Sequence, residues 1–517
     1  MSDPSLIASV DCGSNSFRLL VARVVETSHG KQIYPLDSLK ETVRLAAGLS
    51  KDKILDDAAF ERGLAALARF GERLRSFHPE QVRAVATNTL RVAKNAPLFL
   101  RQAEELMGFP LEVIAGREEA RLVYVGVAHA LPMADENSAP GRRLVVDIGG
   151  GSTEFVIGRG YEPELMESLY LGCVSWSRNF FRDGEIDRHS LKEAELAAQR
   201  EIQVISRTYR QKGWEQAVGS AGTANALAEL IQLNNLGNGA AAPQGMITRE
   251  GMDALRAELL RAGNVNKLKL DGLKPDRLPV LLGGFAIMNA VFNELGIERM
   301  HTCDNALRLG VMYDLIGRGQ SHDMRVVTVA QFQERYGVDR SQAARVGELA
   351  VRLFQSTGVV TGDELEAHLR FLRWAGDLHE VGLSISHAGY HKHSAYIVGN
   401  ADMPGFSKRE QAELATLLLG HAGKLPKLRA ALEGRKQSRV DWIRIACLRI
   451  AVLLFRRRVE IELPPVELEV AANGFVLGFD GTWLDGHPLT DYTLEQEMAE
   501  WEKVGFTLKV KRLEPQA

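Results

Sequence analysis

A chain of 517 residues is too long for one ordinary hydrophobic core, so three or four domains are expected. Its 45% hydrophobic and 25% charged residues are those of a soluble globular protein, and a net charge of −3 excludes a whole-molecule grip on polyanions while allowing a local basic patch. Cys12, Cys173, Cys303 and Cys447 are far apart with no CxxC pair, no apolar run is long enough to span a bilayer, and Met1-Ser2-Asp3-Pro4 lacks the basic start of a secretory signal; a disulfide frame, a zinc knuckle and a transmembrane segment are excluded, and a reduced cytoplasmic protein is expected.

The first element is an apolar run ending Val10-Asp11-Cys12-Gly13-Ser14-Asn15-Ser16. It reaches an aspartate, turns through glycine and small polar residues, and resumes as a strand over 17–25. Residues 58–77 carry Phe60, Leu64, Leu67, Phe70 and Leu74 at helical spacing, and 82–86 reads as a buried strand. A helix over 98–107, a strand over 111–115 and a helix over 118–130 follow, the last bearing Leu122, Val123 and Val127. The stretch 133–142, with its Pro, Ser, Asn and Gly, predicts a boundary.

Beyond it Val146-Asp147-Ile148-Gly149-Gly150-Gly151-Ser152-Thr153 repeats the opening pattern and resumes as a strand over 155–157. Strands near Leu144, Leu165 and Ala217 alternate with helices over 190–210, 223–233 and 285–295, which argues for α/β layers. From 328 to 458 the periodicity is helical. From 459 onward it returns to β: Val466-Glu467-Leu468-Glu469-Val470 alternates, 475–479 follows an Asn473-Gly474 turn, 506–510 alternates again, and a helix over 494–503 lies between. The expected domains are 1–130, 131–318, 319–458 and 459–517.

Asp beside Gly often makes a turn and nothing more. Two copies in one register, each entered from an apolar strand, imply instead a duplicated domain closing on one phosphate-bearing ligand, whose oxygens the backbone N–H groups of the turns can hold. A P-loop leads into a helix and carries Gly-Lys-Ser/Thr; neither loop has that lysine, so a metal ion or arginines must neutralise charge. Asp147 and Glu154 are two hard oxygen ligands near one loop, as Mg²⁺ prefers when it also binds phosphates and water.

Duplicated loops of this kind resemble those of the actin, sugar-kinase and heat-shock-chaperone ATPase superfamily. In detail, Asp11-Cys12-Gly13-Ser14-Asn15-Ser16-Phe17 and Asp147-Ile148-Gly149-Gly150-Gly151-Ser152-Thr153-Glu154 look like the exopolyphosphatase and guanosine pentaphosphate phosphatase family. So do Thr87-Asn88-Thr89-Leu90-Arg91, Gly116-Arg117-Glu118-Glu119-Ala120-Arg121, Gly172-Cys173-Val174-Ser175, Gly219-Ser220-Ala221-Gly222-Thr223 and Leu378-His379-Glu380-Val381-Gly382, so that the resemblance covers nearly the whole chain. It implies two actin-like (ribonuclease H-like) α/β domains, then an all-helical HD-like domain and a small C-terminal α/β domain.

By that resemblance Glu119 matches the catalytic base that activates water, with Glu118 the alternative if the register is off by one. Asp147 and Glu154 match magnesium-binding acids, with Asp11 a third. Asn15, Ser16, Gly149, Gly150, Gly151, Ser152 and Thr153 match phosphate-contacting loops. Arg91 and Arg308 match cleft-facing arginines, whose planar forks suit phosphate oxygens. Gly222 and Thr223 open a helix, an anion-friendly end.

In the helical part, His379-Glu380 with His387, His391, His393, Asp402 and His421 is similar to His-Asp metal phosphohydrolases. The pair is His-Glu here and residues 341–354 hold no histidine, so an inherited scaffold is expected, with His391, Lys392 and His393 lining a substrate route. Residues 424–458 hold eleven Lys or Arg against Glu433 and Asp441. Such a run is either a solvated helix face or a cationic channel for a long polyanion; with only Trp442 and Phe455 as aromatics there, no nucleic-acid partner is expected. The resemblance thus implies an exopolyphosphatase with Mg²⁺ as cofactor, a homodimer, cytoplasmic, with potassium as an activator and peripheral contact at the inner membrane face both left open. The alternatives are hydrolysis of guanosine pentaphosphate (pppGpp) to the tetraphosphate (ppGpp), a kinase or ATP-driven chaperone, and a non-catalytic sensor of alarmone or polyphosphate.

Overall fold

The computed structural model describes residues 5–27, 30–131, 141–237, 244–304, 306–318, 323–432 and 438–513. It divides into two compact units, Met1–Met324 and Arg325–Ala517. Most of the expected boundary at 133–142, and residues 319–322 around the next, lie outside the described residues.

The first unit holds two sheets. In one, β1 (Leu6–Cys12) pairs antiparallel with β2 (Phe17–Thr27), which pairs with β3 (Gly30–Glu41); on its other side β1 runs parallel to β4 (Val82–Ala86), and β4 to β5 (Leu111–Val113). The order is β3-β2-β1-β4-β5. The other sheet contains β6 (Arg142–Ile148), β7 (Thr153–Arg159), β8 (Glu162–Leu169), β9 (Gln216–Ser220), β10 (Met246–Thr248) and β11 (Arg299–Cys303), in the order β10-β11-β9-β6-β7-β8. From its β8 edge it repeats the first sheet strand for strand in order and direction, with β10 added antiparallel beside β11. The register repeats too: Asp11 is paired with Arg18, and Asp147 with Glu154.

All five residues of β4 are buried, as the reading of 82–86 as a buried strand expects, and the charge of Arg83 among them is met by Glu112 and Asp314. Helix Asp57–Leu74 begins where the Asp56 carboxylate accepts the Ala59 N–H at 2.7 Å, and buries Leu67, Phe70 and Leu74 against the first sheet's core. Helices Gly116–Ala130 and Ala306–Gly317 touch backbone to backbone: a Cβ on Gly126 would stand 1.7 Å from Ala306 O, and one on Gly310 1.8 Å from Leu122 O. Only glycine fits at either place. Helix Leu278–Leu295 is long and apolar enough by length and composition to cross a membrane, contrary to the reading from apolar runs; 78% of it is buried in the second sheet's core.

In the second unit, helices Met324–Arg335, Arg340–Ser356, Asp363–Leu378, Tyr390–Asn400, Lys408–Gly420, Leu425–Ala431 and Arg439–Leu454 precede a three-stranded sheet of β12 (Glu467–Ala471), β13 (Gly474–Asp480) and β14 (Thr507–Leu513), in that spatial order. Helix Pro488–Glu502 starts earlier than the periodicity predicts because Pro488 sits in its first turn, where a missing N–H costs nothing. One hydrophobic core joins Phe354, Leu378, Leu418 and Ile445 of the helices to Leu468, Leu477 and Trp501 of the sheet region.

Candidate active site

A cleft of about 380 Å³ in the first unit takes its walls from both Gly-rich turns. Asp11, Asn15 and Ser16 line one wall, and Asp147, Gly149, Gly150 and Ser152 the other. Gly222 and Thr223 open helix Ala221–Leu233 at the cleft, Arg308 enters from helix Ala306–Gly317, and Glu119 from the first turn of helix Gly116–Ala130. The two turns approach closely: a Cβ on Gly150 would stand 3.0 Å from Ser14 Cβ, and one on Gly151 2.6 Å from Asn88 Oδ1. Ala221 sits at φ 63°, a left-handed conformation that costs an alanine about 1–2 kcal/mol, and such strain gathers at functional turns.

Carboxyls in and behind the cleft wall lose their ordinary acidity: Asp11, Glu119 and Asp147 line the cleft, whereas the expected ligand Glu154 is buried behind it and does not. Glu119 is 8% exposed; burial pushes its pKa up to about 7, with Asp147 and Asp11 raising it further and Arg91 opposing them. Arg91 Nη1 lies 3.3 Å from Glu119 Oε2. Burial likewise raises Asp147 to about 6 although Ser220 Oγ donates to its Oδ2. Glu154 is pushed well above its usual range by burial and by Glu119 and Asp147, against the Ser168 hydroxyl that donates to its Oε1 at 2.8 Å. Asp11 is raised by burial against the pull of Arg308 and Arg18, and Arg308 is lowered to about 10 by burial and by Arg18.

Not every expected residue faces the cleft. Thr153 is wholly buried and its hydroxyl donates to Leu171 O at 2.5 Å; Gly151 packs against Asn88, and Arg91 reaches the site through Glu119. Arg18, Lys40, Lys274 and Arg277 line the cleft and are absent from the expected set. Arg18 could have been found by aligning the two turns, since it stands where Glu154 stands in the other half. Arg277 packs on the Gly222 turn, where a Cβ would lie 1.9 Å from its Nη2; no local motif announces it.

Asp147, Glu154 and Asp11 form an all-oxygen set, and Asp11 Oδ1 is buried with no hydrogen-bond partner, which suits a hard cation. Among the described residues no three His, Cys, Asp or Glu side chains converge closely enough to hold a metal by themselves. A cation here would therefore take part of its shell from water and phosphate oxygens, the habit of Mg²⁺.

In the second unit His379 and His421 are buried, and each Nδ1 lies 2.6 Å from a backbone carbonyl one turn back, Gly376 and Leu418. Burial lowers His379 to about 4 and His421 well below its usual value, so both are neutral. Half-buried His391 packs on Gly423, and Lys392 is exposed. The basic stretch is not uniform. Arg444 is buried and donates to Glu413 at 2.5 Å and to Asp441 at 2.5 Å; Arg449 is buried and held by Glu497 at 2.6 and 2.7 Å. Lys424, Lys427, Arg456 and Arg457 are exposed, while Glu433, Arg435 and Lys436 lie outside the described residues.

A model for the Ppx/GppA phosphatase family matches residues 20–318, and one for domain III of Ppx/GppA phosphatases matches 324–498. The chain is 36% identical over 506 residues, 98% of each sequence, to a guanosine-5'-triphosphate,3'-diphosphate pyrophosphatase of Pseudoalteromonas translucida (strain TAC 125). An exopolyphosphatase from Cytophaga hutchinsonii has the same fold at 23% identity and a TM-score of 0.53, over 61% of this chain and 99% of that one. An exopolyphosphatase-like protein matches at 25% identity and 0.51, over 60% of this chain and 98% of its own. The expected architecture, duplicated actin-like α/β layers followed by a helical domain and a small sheet, is borne out.

Proposed function

The chain belongs to the Ppx/GppA phosphatase family, and on that footing we propose that it releases terminal orthophosphate from linear inorganic polyphosphate. The observation that carries the reading is Glu119: a buried carboxyl with its pKa raised to about 7, in one cleft with both Gly-rich turns. A base poised near neutral pH is basic enough to take the proton of a water and is still ionised in about half the molecules at pH 7.

In this reading the terminal phosphate lies between the turns, held by backbone N–H groups, Asn15, Ser16 and Ser152. Glu119 accepts the proton as the water oxygen bonds to the terminal phosphorus; the bridging P–O bond breaks and its electron pair leaves on the shortened chain. Arg308 faces the developing charge, and Arg91 holds Glu119 in place. Mg²⁺, held by Asp147, Glu154 and Asp11, would neutralise phosphate oxygens.

Arg18, Arg277 and Arg308 line the cleft among its carboxyls, Lys40 and Lys274 there are paired with Asp276 and Glu229, and no lining side chain among the described residues is aromatic. That favours a linear polyanion over a stacked base. The second reading, hydrolysis of pppGpp to ppGpp by the same groups, draws on the 36% identity to a guanosine-5'-triphosphate,3'-diphosphate pyrophosphatase. Phosphate release from long polyphosphate and from pppGpp, at matched concentrations with Mg²⁺, decides between them: faster release from polyphosphate is expected, and tenfold faster release from pppGpp would replace the first reading with the second.

A further inference from the structure

Helix Gly116–Ala130 begins after Ala115, and no side chain caps its first turn. Uncapped first turns fray, since their N–H groups have no partner within the helix. Yet this turn carries Glu119, which the reading above makes the base. Besides the Arg91 contact to Glu119 itself, the turn is gripped through Glu118 and Arg121.

Three arginines and three carboxylates meet there in a network, buried at its centre and partly exposed at Glu112 and Arg318, that the hydrolytic chemistry does not use. Arg121 Nε and Nη2 donate to Glu118 at 2.7 and 2.8 Å, and Nη2 also donates to Asp314. Arg83 Nη1 donates to the other Asp314 oxygen at 2.6 Å, and Arg318 Nε to the same oxygen at 3.1 Å. Glu112 closes the network from Arg83 at 3.2 Å and Arg318 at 3.3 Å. The side chains of Arg83, Glu118, Arg121 and Asp314 are all at most 7% exposed.

The helix crossing puts Asp314 where it can act on the turn. Gly126 meets Ala306 and Leu122 meets Gly310, so the helices run antiparallel, and one turn further Asp314 comes level with Glu118. We propose that Asp314 is a positioning residue for hydrolysis: from helix Ala306–Gly317 it clamps the first turn of helix Gly116–Ala130 through Arg121 and Glu118, and so fixes Glu119 in the cleft. Arg308 lies on the same helix as Asp314, so one rigid crossing delivers both the cleft cation and the base. The inference rests on the role given to Glu119.

Asp314→Asn removes the charge and keeps the shape. Glu112→Gln is the control: it breaks an ion pair in the same network without touching helix Gly116–Ala130. Both are compared with the unaltered full chain on whichever of polyphosphate and pppGpp that chain hydrolyses, together with amide hydrogen exchange over residues 116–121. For Asp314→Asn we expect kcat to fall about 10–100-fold with KM within about threefold, and first-turn exchange to speed up about tenfold. Asp314→Glu should restore part of both, and Glu112→Gln should leave kcat within about twofold whatever its melting temperature. If Asp314→Asn does not fold, Glu118→Gln, which loosens the same clamp, must show the same pair of effects. Unchanged exchange, or an equal kcat loss in Glu112→Gln, overturns the clamp. Faster exchange with undiminished turnover also overturns it, whereas full turnover by Glu119→Gln overturns the reading of the base alone.

Discussion

Arg18 and Glu154 occupy the same place in the two halves of the duplicated fold: each is the cross-strand partner of an aspartate, Arg18 of Asp11 and Glu154 of Asp147. One copy of the hairpin thus pairs acid with base, and the other pairs acid with acid. The symmetry of the backbone is kept while its charge is broken, so one wall suits phosphate oxygens and the other a cation. Arg18 also pulls against the burial that raises both Asp11 and Asp147. Arg18→Gln should therefore raise KM for polyphosphate about 10–100-fold, as expected for a lost charge-assisted contact of about 1.5–3 kcal/mol. Steady-state kinetics check this; an unchanged KM would mean that Arg18 serves only its neighbouring carboxylates.

Glu119→Gln keeps the volume of the side chain and removes its capacity to accept a proton. Loss of a positioned general base typically costs about 10²–10⁴ in rate. The fall should appear in kcat with KM little changed, because the turns and cations that bind phosphate are intact. Phosphate release at the original rate would transfer the role to another group.

The raised carboxyls make two pH predictions. A base must be ionised to act, so kcat/KM should rise with pH, pass half its maximum near 7, where burial has placed Glu119, and level off above that. Stability runs the other way. Glu119 and Asp147 titrate near 7 and 6 in the folded chain but near 4.5 and 3.8 in an unfolded one, so the fold favours their protonated forms. The stability this gives is complete below about pH 4 and lost as pH rises through 6 to 7. Melting curves without metal should shift down over that range, and Mg²⁺ should reverse most of the shift at pH 7.5 if Asp147, Glu154 and Asp11 hold it.

Gly172 tests how tightly the second turn is placed. It has no unusual φ, yet a Cβ on it would lie 2.2 Å from Gly150 O, a backbone atom that cannot swing aside. Gly172→Ala must push the turn by a fraction of an ångström or more. Displacement of about 1 Å can cost on the order of 10²-fold in rate. Turnover should fall by about that factor while the far-UV circular dichroism spectrum is unchanged; full activity would show that the turn has slack.

The features readable in the sequence are those whose cause is local. Each Gly-rich turn carries its own glycines and its own flanking apolar strand, so both appear in the chain without knowledge of the partner. The helix containing Phe285 reads only from that residue because Leu278–Leu295 is apolar on every side and has no periodic face to mark its start. Strand β3 is polar and mostly exposed, and so carries no core pattern. Arg277 and Asp314 could not be found at all: each acts on residues brought near by packing, Gly222 in one case and Arg121 in the other. Thr153 shows the opposite error, a hydroxyl assigned to phosphate by its place in the turn but turned inward to Leu171 O.

The basic stretch of the second unit can be divided by burial, and the two classes should respond differently. Arg444 and Arg449 are buried and paired, so Arg449→Ala leaves Glu497 as an uncompensated buried charge and should destabilise by about 3–5 kcal/mol. Lys424, Lys427, Arg456 and Arg457 are exposed, and exposed cations contribute little to stability. Reversing all four should leave the melting temperature nearly unchanged. If this face holds a long polyanion, its cations act by counterion release, which sums over every phosphate engaged. Binding of long polyphosphate should then weaken far more than that of short chains, and its salt dependence should flatten by about one slope unit per cation removed. Equal losses on long and short chains would make the exposed stretch an ordinary solvated surface, with the hydrolytic cleft of the first unit left as the whole of the substrate grip.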